Sequence, residues 1–307
     1  MESAPNLKMT KKLNFYIIFN VYAVSEKKLK LINKVIFLLK KRHSVEFFKT
    51  NSEKDAVMVF KNLSNKDVDR IVIAGGDGSI CFGINQIINQ YKGNSKPLIG
   101  YIPAGTASIL QIEMQIEKKA KEIYKTLVSE NSKKINLVKI NDSYFFLMAG
   151  IGFDSEIVRS INTNIKKYLG KIIFALKSLQ HFIFLKNKKM QVEIDGQVIN
   201  ADWVLVTNSK YYAGPHSITK QTNIFDQKVI IYIFKDLTRI KLLHYLWLIL
   251  AKKDLSPAKS VITKELSVLK INKISGKILS QIDGENFGFK DRLVIKKTNK
   301  YINLLVP

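Results

Sequence analysis

The chain has 307 residues, 46% hydrophobic and 24% charged, the composition of a globular protein long enough for two domains with cores of their own. Its 50 Lys and Arg against 25 Asp and Glu give a net charge of +25, and a single cysteine, Cys81, excludes an intramolecular disulfide. His43, His181, His216 and His244 stand far apart with no cysteine or carboxylate at zinc spacing, so no structural metal is expected.

Residues 1–12 lack the apolar core of a signal peptide, and no later stretch offers the ~18 uninterrupted apolar residues of a membrane span. A cytoplasmic protein is therefore expected. Its charge would draw it to an anionic membrane surface or to nucleic acid. No zinc finger, RNA-recognition signature or aromatic-interleaved basic stripe is present, so nucleic acid is not expected as a partner. Lysine enrichment through compositional bias is the alternative source of the charge.

In chain order, 13–19 reads as a first strand ending at Asn20, 26–39 as a lysine-faced helix, 45–48 as a second strand and 54–63 as a second helix. The β-branched run 71–73 then reads as a buried strand that Gly75, Gly76 and Gly78 cannot continue. Ser79 is the expected N-cap of a helix carrying Ile80, Ile84 and Ile87. A further strand at 97–101 leads to Pro103, Ala104, Gly105, Thr106, Ala107 and Ser108, and to a helix from Ile109. This alternation, up to about residue 129, argues for a parallel sheet covered by helices.

Beyond it the pattern changes. Residues 135–140 and 144–149 around Asn141-Asp142-Ser143 read as a hairpin, as do 191–194 and 198–200 around Asp195-Gly196. Strand-like runs follow at 204–207, 229–234, 268–271, 278–282 and 294–297, which argue for an antiparallel sandwich. The fold class is thus an N-terminal α/β nucleotide-binding domain followed by an antiparallel β-sandwich domain that begins at residue 133. Two apolar helices, 170–186 and 239–253, interrupt the β region. Both read as core helices, or one of them lies against a bilayer with Trp247 and flanking lysines at the headgroup level.

Two strand–loop–helix units place two glycine loops at the carboxyl ends of neighbouring strands, where open α/β sheets bind nucleotides. Glycines let backbone approach a ligand, and the first-turn N–H groups of a helix favour a phosphate. Asp77 among them would meet a metal ion, a sugar hydroxyl or a proton in flight. The alternative is a tight turn capped by its Asp.

Gly75-Gly76-Asp77-Gly78-Ser79 followed by Pro103-Ala104-Gly105-Thr106-Ala107 resembles the paired GGDGT and PxGTxN motifs of the diacylglycerol kinase catalytic-domain family, which includes sphingosine kinases. Gly150-Ile151-Gly152-Phe153-Asp154, Asn208 with Tyr211 to Gly214, and Asp283-Gly284-Glu285 resemble further blocks of that family. The resemblance implies a lipid kinase that moves the γ-phosphate of ATP, with Mg²⁺, to a hydroxyl of diacylglycerol or a related lipid at the membrane surface. It implies Asn20, Gly75, Gly76, Asp77, Gly78, Ser79, Gly105 and Thr106 at the nucleotide, and Asp283, Asp77 and Glu285 as catalytic candidates. It also implies that 301–307 returns to the first domain, giving domains of 1–132 plus 301–307 and of 133–300.

The sequence departs from the pattern where Val21 to Val24 lack the proline and glycine of the family's first loop, and where Cys81-Phe82 and Ser108 replace Asn-Glu and Asn. These departures leave open an inactive nucleotide- or lipid-binding protein of the same fold, and the Gly-Gly-Asp-Gly loop alone leaves open a kinase of a soluble substrate such as NAD. A homodimer is also left open.

Overall fold

The computed structural model describes residues 11–307 apart from 22–23, 64–65, 92–96, 106–107, 161–179, 181, 183–188, 257, 259 and 275. The strands β1 (Asn14–Asn20), β2 (Ser44–Thr50), β3 (Arg70–Gly75) and β4 (Leu98–Pro103) run parallel in the order β2-β1-β3-β4. β3 is buried along its whole length because helices cover both faces, so apolar residues run on without alternation. On one face α1 (Glu26–Lys40) turns Ile32, Val35, Ile36 and Leu39 inward and packs beside α5 (Ala120–Val128); on the other, α2 (Glu53–Leu63) packs beside α3 (Asp77–Gln90). The short α4 (Ile109–Glu113) follows the second glycine loop.

The remaining strands are antiparallel. β5 (Ser132–Ile140), β6 (Ser143–Phe145), β8 (Met190–Ile194), β9 (Gln197–Ala201), β15 (Val268–Lys273) and β18 (Arg292–Leu305) extend the first sheet beyond β4. The join is β18, which pairs antiparallel with β5 and β15 and meets β4 in parallel at Leu304 and Ile99. A second sheet has the order β14-β13-β10-β7-β16-β17, built from β7 (Met148–Gly152), β10 (Trp203–Thr207), β13 (Ile230–Phe234), β14 (Val261–Glu265), β16 (Ile278–Ile282) and β17 (Glu285–Lys290). A two-stranded ribbon, β11 (Tyr211–Tyr212) with β12 (His216–Ser217), stands apart.

Alternation along the second sheet sends its residues into two cores. Val204, Val206, Ile231 and Ile233 face Val192, Ile271 and Ile295 of the first sheet and form the sandwich interior. Trp203, Leu205, Tyr232 and Phe234 belong to the core shared with the α/β layers, under α6 (Phe153–Ser160) and α7 (Arg239–Leu250). Trp203 stacks on Phe234 at 4.0 Å between ring centroids, and Tyr245 of α7 meets Phe234 edge-on at 5.0 Å. These contacts account for the inner face of a helix that looks apolar on nearly every side in the sequence. The other expected helix, 170–186, falls almost entirely outside the described residues.

The α/β and antiparallel regions are those expected from the sequence, with local corrections. The run 144–149 is two strands, not one: β6 stays in the first sheet and β7 opens the second, with the crossing at Phe146 and Leu147. Helix α3 begins at Asp77, so Gly76 occupies the N-cap position and Ser79 lies inside the first turn. β14, β17 and α6 were not expected, and β18 runs on from the expected 294–297 to Leu305.

Candidate active site

The first glycine loop is held by the second. Ala104 N donates to Gly75 O at 2.8 Å and Tyr101 Oη to the same oxygen at 3.2 Å. A Cβ on Gly105 would lie 2.4 Å from Gly76 Cα, so the two loops touch backbone to backbone and only glycine fits there. Asp77 supplies the tie. Its carboxylate accepts from Ile109 N at 2.7 Å and from Leu110 N at 3.2 Å, so this side chain caps α4 rather than its own turn. A capping role is therefore present, but across the two units.

This cradle suits a phosphate. The N–H groups of the first turn of the 14-residue α3 open toward it with the positive end of the helix dipole. Lys28 Nζ donates to Gly105 O at 2.9 Å, and its burial, with Lys118 nearby, lowers its pKa. Asn20 ends β1 one residue beyond the Phe19–Ala74 pair, at the same edge of the sheet. Thr106, expected at the nucleotide, lies outside the described residues. Ser79 Oγ would be 2.5 Å from a Cβ on Gly75, which explains a glycine there.

The antiparallel region closes the site from above. A Cβ on Gly78 would lie 2.1 Å from Cγ of Glu285 and 2.6 Å from its Oε1, so Glu285 is seated on the first-loop glycine. Asp283, in the turn between β16 and β17, is 3% exposed, and its carboxylate accepts from Phe146 N at 3.1 Å and from Leu147 N and Met148 N at 2.9 Å each. These are the residues at the crossing between sheets. Burial pushes Asp283 up to about 6 despite the three backbone bonds that favour its ionised form. Burial likewise pushes the Cys81 thiol well up, and Asp283, then Glu285 and Asp77, push it further. The charges of the three catalytic candidates of the sequence thus all act on one buried thiol on α3.

Several residues at the site had no role in the sequence reading. Gln281 Nε2 donates to Asp154 Oδ2 at 3.1 Å while its Oε1 accepts from Gly284 N at 2.9 Å, linking a buried carboxylate to the Asp283-Gly284 turn. Burial pushes Asp154 up to about 7. A Cβ on Gly150 would strike Asp154 Oδ2 at 1.9 Å, which explains the glycine. Glu113, at the end of α4, accepts from Ser209 Oγ at 2.7 Å and Lys210 N at 2.6 Å, and Asn208 Nδ2 donates to Phe146 O at 3.1 Å. Asn85 of α3 exchanges both backbone bonds of Tyr144 at 2.8 Å. Asp154 and Asn208 stand inside recognised blocks without an assigned role, whereas Gln281, Glu113 and Asn85 are single polar residues outside them, a signal too common to single out unaided. Away from these residues, Asp226 lies in an exposed turn, where Asn223 Nδ2 donates to its Oδ2 at 2.7 Å.

Among the described residues no group of three or more His, Cys, Asp or Glu is arranged to hold a metal ion. The carboxylates of Asp77 and Asp283 are committed to backbone N–H groups, so these two do not make a Mg²⁺ site. Nor is any helix among the described residues long and apolar enough to cross a membrane.

Residues 14–140 match the family model described as diacylglycerol kinase catalytic domain. The diacylglycerol kinase of Bacillus subtilis (strain 168) is 25% identical over 240 residues, 76% of this chain and 77% of that one. The diacylglycerol kinase of Staphylococcus carnosus (strain TM300) is 23% identical over 258 residues, 82% of each. The crystal structure of a diacylglycerol kinase from Bacillus anthracis str. Sterne shares the fold, with a TM-score of 0.72 at 18% identity over 97% of this chain and 98% of that one. A second solved chain from that organism superposes with a TM-score of 0.78 at 21% identity over 99% of both. The paired glycine loops lie in the part of the chain that matches the diacylglycerol kinase catalytic domain, residues 14–140, and the chain over most of its length, the Asp-Gly-Glu turn included, is similar to diacylglycerol kinases.

Proposed function

We propose that this protein transfers the γ-phosphate of ATP to a hydroxyl of diacylglycerol or a closely related lipid. The observation that carries the reading is the seating of Glu285 on Gly78, which brings the Asp283 turn over the phosphate cradle. Donor and acceptor would meet where the α/β layer and the second sheet touch. In this reading Gly75, Gly76, Gly78, Ser79 and Gly105, with Asn20 at the rim, receive the polyphosphate, Thr106 follows Gly105 in the motif, and Lys28 offsets the charge. The division into 1–132 with 301–307 and 133–300 belongs to the same proposal, supported by the pairing of Leu304 with Ile99.

In the transfer the lipid oxygen forms a bond to the γ-phosphorus, the bond from that phosphorus to the bridging oxygen breaks, and ADP leaves. The hydroxyl proton goes to a carboxylate late in the step, because an alcohol is far less acidic than Asp. Asp283 is the better acceptor: burial has raised its proton affinity, whereas both oxygens of Asp77 are engaged in capping α4. Glu285 would align the turn against the phosphates. Any Mg²⁺ would come with the nucleotide and help offset its charge.

Labelled ATP offered with a panel of lipids, the products separated by charge, tests the reading. Label is expected in the product of diacylglycerol. Nucleotide binding without transfer to any lipid would leave a binding protein, with the replacements at Phe82 and Ser108 as the cause.

A further inference from the structure

Helix α7 has two apolar faces, and the fold uses one. Leu242, Tyr245, Leu248 and Ile249 are buried against the second sheet, whereas Ile240, Leu243, Trp247 and Leu250 are 81%, 54%, 52% and 66% exposed. The exposed four are spaced 3, 4 and 3 residues apart, so they form one continuous stripe along the helix.

The surroundings of the stripe are cationic. Arg239 and Lys241 stand at one end and Lys252 and Lys253 at the other, with no Asp or Glu from 239 to 253. Lys253 Nζ lies over the Trp247 ring at 4.5 Å, and His244 stacks on the same ring at 6.2 Å. The nearest acids are engaged locally: Asp236 pairs with Lys189 at 3.5 Å, and Asp254 accepts from Ser256 N at 2.8 Å. An apolar stripe with a tryptophan, bordered by cations at both ends, matches the boundary between acyl chains and anionic headgroups. A helix of 12 residues, about 18 Å long, is too short to span a bilayer but can lie in its surface. Four side chains on one helix also fall well short of the roughly 20–30 residues a side of a stable protein interface.

We propose that the outer stripe of α7 is the element that inserts into an anionic bilayer, with Trp247 at the headgroup boundary. The same helix covers the Trp203–Phe234 pair on the sheet whose β16 leads into Asp283, so docking through α7 brings that sheet to the membrane. The inference goes beyond the transferase reading and is tested without turnover, so the two fail separately.

The chain has two tryptophans, of which Trp203 is 1% exposed and Trp247 is open, so emission changes on docking report on Trp247. The full chain is mixed with vesicles of phosphatidylglycerol and phosphatidylcholine, and with matching vesicles whose acyl chains are brominated. A blue shift and quenching are expected with the anionic vesicles. In sedimentation, Leu243→Ser with Trp247→Ser should weaken binding at least about tenfold while the melting temperature stays near wild type. Lys252→Gln with Lys253→Gln should weaken it at low salt and have less effect at high salt. Undiminished sedimentation of the serine variant, or absence of quenching in wild type, overturns the proposal. So does a concentration-dependent dimer that the serine variant dissociates while vesicle binding is unchanged, which would assign the stripe to a second copy.

Discussion

Asp195-Gly196 and Asp283-Gly284 each join two antiparallel strands, with φ of 50° and 73° in the first turn and 47° and 81° in the second. Left-handed backbone at both residues is the hairpin geometry that Asp-Gly favours. The environments have nothing in common. Asp195 is exposed, Lys264 donates to it at 3.0 Å and Ser267 at 3.2 Å, and the lysine's bond holds its carboxyl below the usual range. Asp283 is buried at the crossing between sheets and sits above it. The dipeptide fixes the turn, while the chain lying opposite decides whether the carboxylate becomes a buried group of raised proton affinity or a surface charge.

The change that should separate the two turns most is Asp283→Asn. Turnover is expected to fall by roughly the 10²–10⁴-fold typical of acid–base groups, with ATP affinity near wild type by calorimetry. An amide nitrogen would also face one of the N–H donors of Phe146, Leu147 or Met148, an unsatisfied group costing about 1–3 kcal/mol, so rates must be read well below the melt. Asp77→Asn should instead weaken nucleotide binding as well, because the link to Ile109 and Leu110 shapes the cradle. Intact binding with transfer eliminated would exchange the roles proposed for the two aspartates.

The pH dependence of stability sharpens the contrast. Asp283 and Asp154 have folded-state pKa values of about 6 and about 7, raised from 3.8 by burial. Between the unfolded value and these, the folded chain holds more protons, so stability falls as pH rises through that window and levels off above it. The fall should be on the order of a few kcal/mol. Asp154→Asn should flatten the melting temperature between pH 5 and pH 8. Asp195→Asn should leave that slope as it is, since a depressed carboxyl loses its contribution only as pH falls below the unfolded value. A wild-type melting temperature that rises across this range would refute the buried-carboxylate account.

The same contrast shows where the sequence could be read and where it could not. Strand, glycine loop and helix succession located the cradle because each step is local: β-branched runs, glycines and apolar spacing. Asp283 was legible only through its Glu285 neighbour and the family pattern, since by its own sequence it equals Asp195. The crossing at Phe146 and Leu147 was invisible, because an apolar run gives no sign that a carboxylate 135 or more positions away will hold it open. Ser79 misled for a related reason. Serine is a good N-cap, but the contact between Gly76 and Gly105 moves the helix start back to Asp77.

Exchanging the glycines probes backbone and chemistry separately. A Cβ on Gly196 or on Gly284 would meet nothing within 4 Å, so alanine at either site carries only left-handed strain, roughly 1–2 kcal/mol. Chemical denaturation should show similar losses for Gly196→Ala and Gly284→Ala. Only the second should reduce turnover, because Gly284 N is held by Gln281 and the next residue is seated on Gly78. Equal effects on turnover would mean that the second turn acts through stability alone.

The smallest effect is expected at Asp195. Asparagine tolerates left-handed backbone nearly as well as aspartate, so Asp195→Asn keeps the turn and removes only the charge facing Lys264. An exposed ion pair gains little, because water screens it and two side chains must be ordered to make it. Lys264 is also far from the cradle in the sheet order, on the edge strand β14, with three strands between it and β16. The melting temperature at physiological salt and the turnover number should both match wild type within error. A loss of turnover here, with stability unchanged, would show that the outer turn communicates with the site, and the assignment of the chemistry to Asp283 by burial would then need another basis.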